Sequence, residues 1–202
     1  MTSAKGKAYA NKKSEIDRPI GDYYSTPKSL VWVMKDTIIQ EFPHKTMLEP
    51  CHGQGAISQE LELMGYDVTE NDLYQGGEDY ITSSTFSNHK HIVSNPPFSL
   101  WDEFVDKAKS HCSKFMYIGR LNYLGTNSRY CNDIWKNLKA VYCFNRYVDY
   151  QTPFRTDGNF HVGAMATAWF LWDMEQSIDT IVKIVDVQPY AILGNYKNKG
   201  TS

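Results

Sequence analysis

The stretch from residue 46 to residue 73 constrains this chain most, because strand, glycine turn, helix and strand follow one another there with almost no spare residues. Residues 46–50 read as a short apolar strand ending on Glu49 and Pro50. Gly53 and Gly55 supply a tight turn, since glycine enters positive φ without a side-chain penalty. Ile57, Leu61 and Met64 then recur at helical spacing, and Gly65 ends the helix. Residues 66–73 read as a second strand. Strands joined through a helix pair in parallel, so this unit commits the chain to an α/β architecture.

The rest of the chain extends the pattern. Further strands are expected at 91–94, 115–119, 140–144, 166–172 and 181–187, and a helix carrying Trp101, Phe104, Val105 and Ala108 follows the first of these. Upstream, Leu30, Val33, Met34 and Ile38 fall on one helical face, with Thr26 available as N-cap, Pro27 in the tolerant first turn and Pro43 closing the segment. With 202 residues, 42% of them hydrophobic, one well-buried core is the expectation: a single domain over 19–194, a flexible basic arm over 1–18 and a polar tail over 195–202. The arm carries Lys5, Lys7, Lys12, Lys13 and Arg18; a solvated tail and a phosphate-gripping arm are its two readings.

The formal net charge of −2 provides no global field toward nucleic acid, so any such contact rests on local patches. Cys51, Cys112, Cys131 and Cys143 form no paired-cysteine motif and read as reduced thiols, which together with the lack of a long apolar run gives a cytoplasmic protein away from membranes as the expectation. No metal site is expected.

Two segments carry chemistry. In Glu49, Pro50, Cys51, His52, Gly53, Gln54 and Gly55, the missing side chains let a ligand lie against the backbone, and the following helix offers N–H groups to a carboxylate; a purely structural turn is the alternative. Asp72 lies 17 residues after Gly55, where a nucleoside-binding α/β unit places a ribose-binding acid. Glu70 competes for that role, and Asp72 also suits a turn cap.

The second segment, Ser94, Asn95, Pro96, Pro97, Phe98 and Ser99, follows a strand and precedes an amphipathic helix. The prolines remove two donors and stiffen the turn, leaving the Asn95 amide oxygen and the Pro96 carbonyl as acceptors beside an aromatic ring. Two acceptors fixed on the hydrogens of an aromatic amine favour its pyramidal, nucleophilic form. Phe98 would stack on the base. A rigid loop is the plain alternative, His91 reads as an ordinary strand residue rather than a base, and Cys51 as a packing residue.

Together these residues resemble class I S-adenosylmethionine-dependent methyltransferases, specifically the adenine-N6 type of bacteria and bacteriophages, over about residues 22–173. The resemblance implies a Rossmann-like fold with a seven-stranded, mostly parallel sheet flanked by helices, the last strand antiparallel. It implies that Glu49, Cys51, Gly53 and Gly55 hold the cofactor S-adenosylmethionine, that Asp72 takes its ribose, and that Asp79 and Tyr80 meet its adenine. Tyr24 and Thr26, in a threonine–proline segment before the first helix, would touch its methionine part, in an order that looks gamma-type. Asn95, Pro96, Pro97 and Phe98 would be catalytic. Stretches around Arg120, Arg146 and Trp169 resemble phage-type members and carry no assigned role, core strands and solvated arginines being their plain reading.

The chain leaves little room for a separate target-recognition region, so the loops at 122–131 and 150–165, with Tyr123, Arg129, Phe154, Arg155 and His161, are the candidates for holding substrate. Tyr123, Arg129 and Arg155 are the residues chosen there. DNA is the expected partner, with RNA, cytosine or a glutamine amide as alternatives sharing a planar N–H₂. A methyltransferase-fold binding module is a second class, and a dinucleotide-dependent oxidoreductase a third, disfavoured because Ser58 stands where its third glycine belongs.

Overall fold

A computed structural model describes residues 26–148, 150, 165–176 and 179–187 of the chain. The basic arm, Tyr24, Phe154, Arg155, His161 and the polar tail lie outside the described residues.

All seven expected strands form: β1 (Thr46–Glu49), β2 (Asp67–Glu70), β3 (His91–Ser94), β4 (Lys114–Arg120), β5 (Leu138–Phe144), β6 (Thr167–Asp173) and β7 (Ile181–Val185). They build one sheet in the order β2-β1-β3-β4-β6-β5-β7. Pairing is parallel from β2 through β4 and between β5 and β7, while β6 runs antiparallel to both β4 and β5. The reversed strand is therefore the sixth, not the last; β7 returns parallel to form the edge. The helices are α1 (Lys28–Trp32), α2 (Lys35–Glu41), α3 (Ser58–Leu63), α4 (Trp101–Lys109) and α5 (Asn127–Cys131).

The single helix expected between Pro27 and Pro43 is two short ones, with a turn at Val33 and Met34. The two halves answer to different anchors. Lys28 pairs with the buried Glu60 at 2.8 Å and the Trp32 indole donates to the same carboxylate, drawing α1 onto α3. Glu41, at the end of α2, instead meets Lys114 at 3.1 Å and Lys139 at 2.7 Å. Asp173 completes that four-charge network at 3.2 and 3.3 Å from the same lysines. Burial would raise the Glu41 carboxyl, but hydrogen bonds from Lys139 and Lys114 outweigh it and hold the group below its usual range.

The core is aromatic. Phe115 and Trp172, opposite each other on β4 and β6, stack at 4.8 Å with rings 9° apart, and Trp101 meets Phe170 edge-on at 5.4 Å. Trp101 inserts from α4 and donates its indole N–H to the Ile118 carbonyl at 2.9 Å, satisfying the one polar atom that so large a buried side chain brings with it. That insertion requires Gly119, where a Cβ would stand 2.8 Å from the indole. Trp169 reaches the other face and donates to the Leu30 carbonyl at 2.7 Å, fixing α1 against the sheet. Among the described residues no helix is long and apolar enough to cross a membrane.

Candidate active site

Because β1 to β4 run parallel, the loops leaving them share one edge of the sheet, where α/β folds hold ligands. The glycine turn leaves β1, Asn71 and Asp72 leave β2, the Asn95–Phe98 turn leaves β3, and Arg120 closes β4. His91 sits at the opposite end of β3, buried, stacked on His44 at 5.6 Å and edge-on to Phe42. Burial and then the neighbouring His44 lower its pKa, so it stays neutral and far from the site edge.

Glu49 ends β1 fully buried, accepting from the Ser94 hydroxyl and from the Cys51 amide at 3.2 Å, while its second oxygen has no hydrogen-bond partner. Burial pushes its carboxyl up to about 8, outweighing the hydrogen bonds from Ser94 and Cys51. Burial together with Glu49 and Asp72 also raises the Cys51 thiol well above its ordinary value, so it is no thiolate nucleophile.

The turn that follows is held from β2. Gly53 and Gly55 adopt φ of 54° and 76°, and the Gly53 amide donates to the Asp72 carboxylate at 2.9 Å. The other Asp72 oxygen accepts from the Tyr74 amide at 2.8 Å, capping a 3-10 turn over Leu73–Gln75. Both Asp72 oxygens are thus engaged in holding the turn. The acid with capacity to spare is Glu70, the last residue of β2, whose Oε1 would lie 3.6 Å from a Cβ on Gly55. The His52 Nδ1 lies 3.8 Å from the same oxygen.

Asn71 is a structural residue that sequence reasoning missed. Almost wholly buried, it exchanges two hydrogen bonds with the Glu78 backbone, both at 2.9 Å, and its carbonyl accepts from the His52 amide at 3.1 Å. A Cβ on Gly77 would come within 2.5 Å of the Asn71 side chain, so that glycine is fixed by close approach. The signal available was an asparagine between two acids at a strand end.

Asp79 and Tyr80 stand just beyond. Asp79 accepts from the Ile81 amide at 3.0 Å and the Thr82 hydroxyl at 3.1 Å, a turn cap. The Tyr80 ring is 2% exposed, packed on Phe104 at 5.2 Å and Phe86 at 6.1 Å. Its side chain therefore belongs to the core beneath the loop, not to the surface where adenine contact was expected. Glycine-turn helix α3 begins only at Ser58 and has six residues.

In the second loop, the Asn95 side-chain amine donates to the Thr26 hydroxyl at 3.1 Å, and its Oδ1 is buried with no hydrogen-bond partner. Thr26 is not the N-cap of α1, a place taken by Pro27; its hydroxyl fixes the Asn95 amide instead. Pro96 is buried, and the Leu100 amide donates to the Pro97 carbonyl at 3.0 Å, turning the chain into α4. Phe98 is nearly buried, with Tyr150 against it edge-on at 6.2 Å and the Arg120 guanidinium over its ring at 4.9 Å.

Tyr123 and Arg129, expected as substrate contacts, are committed within the protein. The Tyr123 hydroxyl donates to the Phe98 carbonyl at 3.0 Å. Arg129 lies over the Tyr123 ring at 4.0 Å, pairs with Asp102 at 2.6 Å and donates to the Thr126 hydroxyl at 3.1 Å. They brace the loop from behind. Among the described residues no group of three or more His, Cys, Asp or Glu side chains could hold a metal.

No family model and no curated protein matches the sequence. Solved structures do match the fold. A proposed RNA methyltransferase from Pyrococcus horikoshii superposes with a TM-score of 0.57 at 13% identity, over 80% of this chain and 92% of that one. The modification subunit of a proposed type I restriction enzyme from Vibrio vulnificus gives 0.51 at 13% identity over 78% of this chain, which spans 45% of that subunit. With its seven-stranded, mostly parallel sheet flanked by helices, this chain has the Rossmann-like fold of these methyltransferases.

Proposed function

We propose that the chain transfers a methyl group from S-adenosylmethionine to the exocyclic N6 amine of adenine in DNA. The observation that carries this reading is the Asn95 Oδ1, a buried acceptor with no partner, held in place by Thr26 at the end of the strand beside the glycine turn. A buried acceptor left unpaired costs about 1–3 kcal/mol, and an incoming N–H repays that cost.

The residues around the glycine turn fit the cofactor's polar groups. The unpartnered Glu49 oxygen suits the ammonium of the methionine part, and Glu70, with Asp72 behind it, suits the ribose hydroxyls. Gly53 and Gly55 keep the backbone open to both. When bound, the sulfonium supplies an electrophilic methyl and departs as a neutral thioether.

The chain's own part is orientation and polarisation. Asn95 Oδ1 and the Pro96 carbonyl accept the two N6 hydrogens, which localises the nitrogen lone pair toward the methyl and stabilises positive charge as it develops on nitrogen. Phe98 holds the base plane. The surplus N6 proton leaves to water once the amine is cationic, so no strong base is needed.

The test is transfer of labelled methyl to unmethylated DNA, RNA and total protein in parallel, with the modified nucleoside or residue identified after digestion. N6-methyladenine in DNA is the expected product. Label in RNA alone or in protein alone replaces the substrate, and cofactor binding with no transfer replaces the enzyme by a binding module.

A further inference from the structure

Arg120 is a cation at the site edge with a buried donor left unpaired. Ser94 pairs with Tyr117, so Arg120 stands three residues farther along β4, level with the Asn95–Phe98 turn. Its guanidinium covers the Phe98 ring at 4.9 Å, and its Nε is buried with no hydrogen-bond partner. Arg129 shows the opposite condition, with its Nε on Asp102 at 2.6 Å. Among the described residues no carboxylate lies within ion-pair distance of Arg120.

A contact between a guanidinium and an aromatic face is worth about 0.5–2 kcal/mol. A buried unpaired N–H costs about as much or more. Packing alone therefore does not account for Arg120, a half-buried side chain whose Nε is out of reach of water. The turn thus presents two unpaired atoms of opposite kind near one aromatic ring: an acceptor, Asn95 Oδ1, and a donor, Arg120 Nε–H. Their complement is a planar ligand with a donor and an acceptor side by side. Adenine offers that edge, since its amine is flanked by ring nitrogens.

We infer that Arg120 is a substrate-binding residue whose Nε–H donates to a ring nitrogen of the adenine whose amine meets Asn95. The inference rests on the methyl-transfer reading above and adds the group that selects the base. The arriving base takes over the contact with Phe98, and the guanidinium turns from the ring face to the base edge. Lysine cannot replace it, because an ammonium has neither the planar fork nor a donor at that distance from the backbone.

The test uses the full-length protein and the oligonucleotide that the wild type methylates, carrying adenine, 1-deazaadenine or 7-deazaadenine at the target. R120Q and R120K should each lower kcat/KM about 10- to 100-fold, the range of a charge-assisted hydrogen bond, with unchanged affinity for S-adenosylmethionine, which also reports the fold. One of the two deaza analogues should cost the wild type a similar factor and cost R120Q nothing further. Full activity of R120K, or losses that multiply with R120Q for both analogues, would overturn the assignment. A wild type that methylates adenine while both variants match it sinks this inference alone. A wild type that methylates no nucleic acid removes the methyl-transfer reading and this inference with it.

Discussion

The two loops that form the site are built on opposite terms. Around the glycine turn the side chains are spent on the protein itself: Asp72 holds Gly53 and Tyr74, Asn71 holds Glu78, and Asp79 caps the next turn. Around Asn95 the protein supplies braces from outside, Thr26 on one flank and Tyr123 on the other, and leaves Asn95 Oδ1 and Arg120 Nε unpaired. The difference separates residues that make a surface from residues that use it. In the first loop the second oxygen of Glu49 is left unpaired, and in the proposed reading it meets the cofactor.

The sharpest way to break this contrast is Asn95→Ala. Loss of the unpaired acceptor should lower kcat about 100- to 1000-fold in the methyl-transfer assay, the range seen when one preorganised polar group is removed from a transition-state site. Affinity for S-adenosylmethionine, measured by calorimetry, should change little; a large rise in Kd would put Asn95 among the cofactor ligands.

Next in size is the pair Asp72→Ala and Glu70→Gln. If Asp72 is a strut, its removal lowers the melting temperature, by about 1–2 kcal/mol of stability for a lost cap, and also weakens the cofactor about tenfold. Glu70→Gln should weaken the cofactor by a similar factor at an unchanged melting temperature. Equal thermal loss in both would erase the distinction.

Glu49 makes the comparison depend on pH. Its carboxyl, raised by burial from an ordinary 4.5 to about 8, is largely protonated at neutral pH. An ammonium needs the ionised form, so affinity for S-adenosylmethionine should rise up to about tenfold per pH unit below 8, until the ammonium itself loses its proton. The stability of the free protein moves the other way. The native state keeps a proton that the unfolded chain releases near 4.5, so unfolding free energy falls as pH rises between 4.5 and about 8. Glu49→Gln should flatten both profiles, and an affinity profile already flat in the wild type would remove Glu49 from the ammonium site.

The smallest effect is expected from Thr26→Val, which deletes the hydroxyl that aligns the Asn95 amide. A loss of about 3- to 10-fold in kcat, with KM and cofactor affinity held, is the outcome for a positioning residue worth about one hydrogen bond.

Much of the fold was legible because it is written in apolar runs. The strand residues of β3, β4, β5 and β6 are buried almost without interruption, so no alternation was needed to find them. Which neighbour a strand takes is written nowhere in a run of Val, Phe and Trp, and so the reversed strand was misplaced by one. The break between α1 and α2 was hidden for a similar reason. Leu30, Met34 and Ile38 keep a helical period through it, while the cause lies in Glu60 and Lys114, distant in sequence.

At the site, the segments were legible but the division of labour was not. Residue type places Asp72, Tyr80, Tyr123 and Arg129 near a ligand; hydrogen-bond partners for Asp72, Tyr123 and Arg129, and ring packing for Tyr80, show what holds them within the protein. Arg120 lay in a stretch with a family resemblance but no assigned role, because what distinguishes it from Arg129 is the lack of an Asp102.

The indole of Trp169 carries one more consequence. It anchors the Leu30 carbonyl from the antiparallel strand, and α1 begins two residues after Thr26, whose hydroxyl aligns the Asn95 amide. A saturation scan scored on catalysis should therefore flag position 169 alongside the active-site loop, although its side chain is wholly interior. Phenylalanine there would keep an aromatic ring in the core but remove the indole N–H that holds the Leu30 carbonyl, so under the proposed reading a change deep in the scaffold reaches the Asn95 loop.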